Sequence, residues 1–218
     1  MAFQKTGAAE TVKLGQDGNM EKEIVLIAIL SSLLGPFACN KTPTGEYKVA
    51  EIYQDLSQQL FTLTPSKIGI SPDSPDQVLA VMMETGYQEA VATLVAIADG
   101  TVSLYFSNSG GMIGIGQHEG PRKASMALLS FSREFLKQAS LTKSFPLPNR
   151  GKTRFYFLTY GGVRTTQEFD EKELGNGNSS LSPLFHKAQA VITQARMVNE
   201  KMKAEQGAPG IADKSGFR

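Results

Sequence analysis

The alternation of apolar and polar residues divides this chain into segments of different character. Between Gln77 and Gly116, short apolar runs are separated by turn residues, which is typical of β-strands. Three other segments repeat apolar residues at intervals of three and four, which is typical of amphipathic helices. Nearer the start, residues 24–39 are apolar or small and contain no charged residue. The pattern therefore predicts a sheet flanked by helices, preceded by a separate apolar segment.

The predicted sheet begins with three strands, at residues 78–83, 91–98 and 101–106. Residues 84–86 are assigned to the turn between the first two strands. Asp99-Gly100 joins the second and third strands. Asp-Gly between apolar runs is a strong hairpin signal because both turn positions must tolerate a positive φ.

The later strands are less regular. Residues 112–115 are either a short fourth strand or part of a loop. Residues 154–160 and 163–169 are two further strands, and Gly161-Gly162 is assigned to the hairpin turn between them.

Helices are predicted at residues 46–61, 121–139 and 182–202. Pro121 suits a first helical turn, and Ser182-Pro183 suits an N-cap followed by a first helical position. The first helix is expected to bury one stripe of apolar side chains: Val49, Ile52, Tyr53, Leu56 and Leu60.

The order of these elements predicts an α+β fold with a mainly antiparallel sheet. From Gln77 the order is strand, strand, strand, helix, strand, strand, helix, with an extra helix before it. This order is similar to that of longin and profilin-like domains and of their roadblock relatives, and a strand at residues 112–115 would depart from it. The resemblance rests on element order alone and implies a fold without an activity.

The predicted domain organisation has four parts. Residues 1–20 are expected to be a flexible tail, and residues 21–45 comprise the apolar segment and a linker. Residues 46–204 form a single α+β domain, and residues 205–218 form a second flexible tail.

Composition excludes several classes of function. The chain has 22 Lys and Arg against 21 Asp and Glu, so its charge gives no reason to expect nucleic acid as a partner. Cys39 is the single cysteine, which excludes an internal disulfide and a multi-cysteine metal site.

The Gly-rich run before the second predicted helix is a candidate anion site. Bare backbone N–H groups and a helix N-terminus can hold a phosphate, and basic side chains in the first turn would add charge. The run lacks both the P-loop and the dinucleotide patterns. The alternative is that glycine allows a bend or the close approach of another backbone. The candidate residues are Gly111, Gly114, Gly116, His118, Arg122 and Lys123.

No residue pattern indicates catalysis or metal binding. His118 stands beside Glu119, but the other histidine, His186, lies on the last helix, and two isolated histidines do not make a zinc site. No Gly-x-Ser-x-Gly elbow is present. The sequence therefore predicts no enzyme, no cofactor and no metal.

The apolar run from Ile24 to Ala38 leaves two alternatives open. It is either a membrane anchor or a helix buried in the fold or in an oligomer interface, because its length falls between the ~20 residues that span a membrane and the shorter length of a buried helix. Together with Cys39 it resembles a bacterial lipoprotein signal, although Pro36 and Phe37 stand where aliphatic and small residues are usual. A membrane-associated and a cytoplasmic protein are thus equally compatible with the sequence.

The sequence favours a non-catalytic interaction or scaffold module that binds another protein, expected to be a homo-oligomer, with a membrane tether through residues 24–38 as an open alternative. The other hypothesis is a small-ligand or phosphate-binding protein, conceivably an enzyme, that uses residues 110–116 and the start of the following helix.

Overall fold

A computed structural model describes residues 47–71 and 73–207. The chain divides into two units, Met1–Lys41 and Thr42–Arg218, and all described residues belong to the second. The predictions made for residues 1–20, for residues 21–45 and for the end of the chain beyond residue 207 lie outside the described residues. Among the described residues, no helix is both long enough and apolar enough to cross a membrane.

The described fold contains α-helices and β-strands in the order expected from the sequence, with several short additions. In chain order these are α1 (Glu51–Phe61), β1 (Val78–Gly86), β2 (Val91–Ile97), β3 (Val102–Phe106), β4 (Gly111–Met112), α2 (Glu119–Ser132), β5 (Ser140–Leu141), β6 (Lys152–Thr159), β7 (Gly162–Thr165), β8 (Phe169–Asp170), α3 (Glu171–Gly175) and α4 (Ser182–Gly207).

The strands form one eight-stranded sheet in the order β4-β3-β2-β1-β6-β7-β5, with β8 also paired to β6. Every pair of neighbouring strands is antiparallel. The predicted α+β class with a mainly antiparallel sheet and an added N-terminal helix is therefore confirmed. Of residues 112–115, left open between strand and loop, only Met112 belongs to a strand, β4, and Ile115 begins a 3-10 helix, Ile115–Gln117. β4 is one of the short strands added to the element order noted above.

The central strand β1 is buried along its whole length because helices cover both faces of the sheet. Val81 and Met83 point into a larger core beneath α2 and α4. Ala80 and Met82 point into a smaller core beneath α1. A strand covered on both sides reads as a continuous apolar run, which explains the absence of alternation in this segment.

The larger core is built on β6 and α4. Phe155 and Phe157 are fully buried on β6 and their rings lie parallel, with centroids 6.5 Å apart. Leu184 and Ala188 bring the first half of α4 against them, and Leu128 does the same for α2. This packing covers one face of the sheet with α2 and α4, and the opposite face carries α1.

The predicted turn at residues 84–86 is wrong. β1 continues through Glu84 and Thr85 to Gly86, and the turn follows, closed by a 2.9 Å bond from the Tyr87 N–H to the Ala90 carbonyl. The strand continues because β2 and β6 pair with it on both sides as far as residues 85 and 86.

Four other assignments differ from the predicted ones. α1 begins at Glu51, and the helix predicted to end near Ala139 becomes a 3-10 helix, Arg133–Gln138, after α2. The β6–β7 turn is centred one residue earlier than predicted, because Thr159 pairs with Gly162. The expected partner strand at 163–169 is divided into β7 and β8, which both pair with β6.

Both edges of the sheet end in very short strands. β4 and β5 contribute two residues each, so neither presents a long row of unpaired N–H and C=O groups. Short edge strands are one way in which proteins prevent another chain from adding to a sheet.

Candidate functional site

α1 lies on the sheet face opposite α2 and α4 and is held by few side chains. Tyr53 and Leu60 are its buried residues, and Leu56 and Phe61 are partly buried. The helix has no side-chain N-cap; instead, the N–H of Ala50, just before it, donates to the Ser107 carbonyl at 2.8 Å. With so little buried area, α1 is less firmly attached than the helices on the opposite face.

A groove runs between α1 and the β3–β4 side of the sheet. It consists of two adjoining pockets of about 210 and 230 Å³ that share Leu56, Tyr105 and Ile113. The remaining lining residues are mostly apolar: Ile52, Tyr53, Gln59, Leu60, Leu63, Val95, Ile97, Thr101, Ser103, Phe106, Gly110 and Gly111. Each pocket lies below the ~300 Å³ at which small-molecule sites usually begin, so the shape suits side chains of a polypeptide better than a drug-sized ligand.

Apolar side chains on both walls of this α1 groove are exposed. Ile52 on α1 is 56% exposed, and Ile113 after β4 is 58% exposed. α1 also carries two acidic residues, Glu51 and Asp55, and no basic residue. The groove is therefore mostly apolar inside, and the helix that forms one of its walls carries acidic residues outside the lining.

A buried polar cluster lies beneath α1. The Tyr53 hydroxyl donates to Glu84 Oε1 at 2.6 Å and lies 2.9 Å from Thr93 Oγ1. Glu84 is 3% exposed, and its Oε2 has no hydrogen-bond partner among the described residues. Thr93 and Arg154 are the residues directly opposite Glu84 on β2 and β6.

Burial dominates the electrostatics of this cluster. It raises the pKa of Glu84 from 4.5 to about 7, while the Tyr53 hydrogen bond and the Arg154 charge oppose the rise. Arg154 is shared, because its guanidinium donates to Glu168 Oε1 at 2.8 Å. Burial also raises the pKa of the Tyr53 hydroxyl, with the Glu84 carboxylate adding to the rise. The carboxyl thus changes charge near neutral pH inside the α1–sheet interface.

A second groove lies at the opposite edge of the sheet, with a volume of about 490 Å³. It is lined by Leu141, Thr142, Lys143, Phe145, Gly161, Gly162 and Val163. Leu141 is 62% exposed, but hydroxyl and ammonium groups interrupt this surface. A larger share of its lining is polar than in the α1 groove.

Three backbone N–H groups in and just after the Gly-rich run donate hydrogen bonds within the chain. The Gly114 N–H donates to Ser103 Oγ at 3.3 Å, and the Gln117 N–H donates to the Gly114 carbonyl. The His118 N–H donates to the Ile115 carbonyl at 3.1 Å. These groups already have acceptors, so fewer N–H groups remain for an anion than the sequence pattern implies.

Two glycines of the run lie against neighbouring backbone. A Cβ on Gly116 would collide with the Gly100 carbonyl oxygen in the β2–β3 turn, and one on Gly111 would collide with Tyr105 and the Leu104 carbonyl. Gly114 has a φ of 72° and no described atom near its Cβ position. Gly111 and Gly116 thus allow the close approach of another backbone, which is the alternative raised by the sequence.

The remaining anion-site candidates lie around the start of α2. His118 is the N-cap residue, without a side-chain cap bond, and its carbonyl accepts from the Arg122 N–H at 3.2 Å. The Arg122 side chain passes against Gly100, and Lys123 is exposed. Glu119 adds a carboxylate to the same first turn, where it competes with an incoming anion for the helix dipole.

Sequence reasoning missed the polar cluster under α1. Tyr53 was expected only as an apolar contact, and Glu84 was assigned to a turn; Thr93 and Arg154 were not singled out. The available signal was a carboxylate that directly follows six apolar strand residues, 78–83, without a Gly or Pro to end the strand.

In the described part of the chain, no three His, Cys, Asp or Glu side chains are grouped so that they could hold a metal ion. Comparison of the chain with protein-family models, with curated proteins and with solved structures finds no match.

Proposed function

We propose that this domain is a non-catalytic interaction module that binds an apolar segment of another protein in the α1 groove. The observation that carries the proposal is the mostly apolar lining of that groove, with Ile52 and Ile113 more than half exposed on opposite walls. An exposed groove whose lining is mostly apolar typically marks a site of interaction.

The chemistry of the groove indicates the kind of segment that fits. Its walls would receive large apolar side chains, whereas Glu51 and Asp55 on the outer side of α1 favour Lys or Arg beside them. Pairing through a sheet edge gains less support, because β4 and β5 are too short to serve as templates. A phosphate site at the Gly-rich run also gains less support, since the N–H groups of Gly114, Gln117 and His118 donate within the chain.

Photo-crosslinking of the full-length protein in its native cells tests this proposal. A photoreactive amino acid at Gln59, an exposed residue of the groove, is expected to give a discrete adduct with another protein. The same amino acid at Lys123, an exposed residue of α2 on the other face of the sheet, is the matched control and is expected to give none. The crosslinked segment, identified by mass spectrometry, should contain large apolar residues together with Lys or Arg.

A synthetic copy of the crosslinked segment then allows affinities to be compared. Ile52→Asp and Ile113→Asp are each expected to weaken binding at least about tenfold, because each removes about 1.4 kcal/mol or more of apolar burial and places a charge in the groove. Leu141→Asp, an equally exposed apolar residue in the second groove, should leave the affinity unchanged.

Several outcomes would contradict the proposal. These are the absence of an adduct at Gln59, equal adducts at Gln59 and Lys123, or a loss of affinity in Leu141→Asp alone. An adduct with a second copy of the chain would replace the proposal by self-association, and an adduct within one chain would show that the groove is not free for a partner.

A further inference from the structure

We infer that α1 is a proton-sensitive wall of the groove: protonated Glu84 keeps α1 on the sheet, and ionised Glu84 loosens it. The consequence for partner binding rests on the proposed function, but the motion of α1 does not. The inference starts from the position of one carboxyl group, which lies at the interface between a sparsely anchored helix and the sheet beneath it.

Glu84 is hydrogen-bonded to Tyr53, the most deeply buried side chain of α1. Tyr53 is 3% exposed and is one of two buried residues of α1, the other being Leu60. The Tyr53 hydroxyl is shared between Glu84 and Thr93, so one polar attachment of the helix to the sheet runs through this carboxyl. A change in the charge of Glu84 therefore directly affects how strongly α1 is held on the sheet.

The environment of Glu84 offers little compensation for a negative charge. Among the described residues, the titratable or charged groups that face it are Tyr53 from α1, Tyr105 from β3, and Arg154 and Tyr156 from β6. Only Arg154 is cationic, and Glu168 already binds its guanidinium. Glu84 Oε2 has no hydrogen-bond partner among these groups.

An ionised carboxylate in such a site gains from hydration. When α1 lifts, water can reach Glu84 and satisfy Oε2, whereas the closed state must keep the charge buried. Below the range in which Glu84 ionises, the carboxyl is neutral in both states and this gain is absent. The fraction of molecules with α1 open therefore rises with pH.

Hydrogen–deuterium exchange of the full-length protein, without any partner, tests this inference. Burial holds the pKa of Glu84 near 7, and exposure would return it toward 4.5. Protection factors of α1 amides, corrected for intrinsic exchange, should then fall on the order of twentyfold between pH 5.5 and 7.5. They should also lie below those of the β6 amides and respond little to low guanidinium, as expected of a local opening.

Two neutral replacements and one control make the test specific. Glu84→Gln or Glu84→Met should abolish the pH dependence of α1 protection, and either folded variant is sufficient. Asp55→Asn removes an exposed carboxylate from α1 and should leave the pH dependence intact. Three results would overturn the inference: α1 protection that does not change with pH, a pH dependence that remains in the Glu84 variants, or α1 protection equal to that of β6 under all conditions.

The two proposals fail separately. If the protection of α1 amides does not change with pH, the inference of a proton-sensitive wall fails, and the crosslinking result at Gln59 is unaffected. The absence of a crosslinked partner removes the proposed function and leaves the exchange result standing. If both hold, affinity for the crosslinked segment should decrease between pH 5.5 and 7.5 by no more than the change in α1 opening.

Discussion

The free energy of unfolding is expected to fall by about 2–3 kcal/mol between pH 5 and pH 8, and replacing Glu84 with Gln is expected to remove this fall. Burial raises the pKa of Glu84 from 4.5 in the unfolded chain to about 7 in the folded one. Between these values the folded protein keeps a proton that the unfolded chain has released. The stability from protonated Glu84 is complete below the lower pKa and is lost as the pH rises through the higher one.

Chemical unfolding at several pH values measures this difference. The quantity to compare is the change with pH in the gap between Glu84→Gln and the parent protein, because a constant cost from the buried amide then cancels. Glu89→Gln is the matched control: it makes the same chemical change at an exposed position in the β1–β2 turn and should follow the parent protein. A gap that stays constant from pH 5 to pH 8 would mean that Glu84 is not buried as described.

Gly116→Ala is expected to lower the free energy of unfolding by about 2–3 kcal/mol, the upper part of the range for overpacking. The added methyl group would meet the carbonyl oxygen of Gly100, and the Val102 nitrogen would lie 3.0 Å away. These are backbone atoms of a tight turn, held by bonds from Gly100 N–H to Ile97 and from Ile97 N–H to Thr101. The turn therefore has little freedom to move aside.

Gly175→Ala is the matched control for this change. Gly175 is exposed at the end of α3, and no described atom lies within 4 Å of its Cβ position. We expect a change of less than about 1 kcal/mol, in the stabilising direction, because Ala favours helices more than Gly does. Equal effects of the two substitutions in thermal or chemical unfolding would refute the contact between residues 116 and 100.

Local sequence signals predicted the elements of this fold because each depends on a short stretch of chain. Asp99-Gly100 was predicted as a hairpin turn, and Gly100 has a φ of 92° there. Pro121 lies in the first turn of α2, and α4 begins at Ser182. Turn chemistry, caps and periodicity act over a few residues, so they can be recognised without knowledge of the partner elements.

The extent of β1 shows where local signals fail. Glu84-Thr85-Gly86 has a turn-like composition, yet all three residues are paired to β2 on one side, and Glu84 and Thr85 also to β6 on the other. Cross-strand partners supplied the hydrogen bonds and the burial, overriding the local preference. Because the predicted strand ends at residue 83, the carboxylate that is buried beneath α1 falls in a predicted turn.

The stripe predicted for α1 was only partly correct for a similar reason. Tyr53 and Leu60 are buried as expected, whereas Ile52 is more exposed than buried. Periodicity identifies an apolar face on a helix but not which part of that face another element covers. The uncovered part became the wall of the groove on which the proposed function rests.

The sequence by itself determined the fold class, the positions of the main strands and helices, and the absence of any motif for catalysis. These follow from side-chain period and turn chemistry, which are local properties. Tertiary structure alone decided that Tyr53 meets Glu84 from a distance of 31 residues, that Gly116 lies against Gly100, and that the space beside α1 stays open. Each of these depends on which faces are packed together, and the sequence of a single segment does not determine which other segment packs against it.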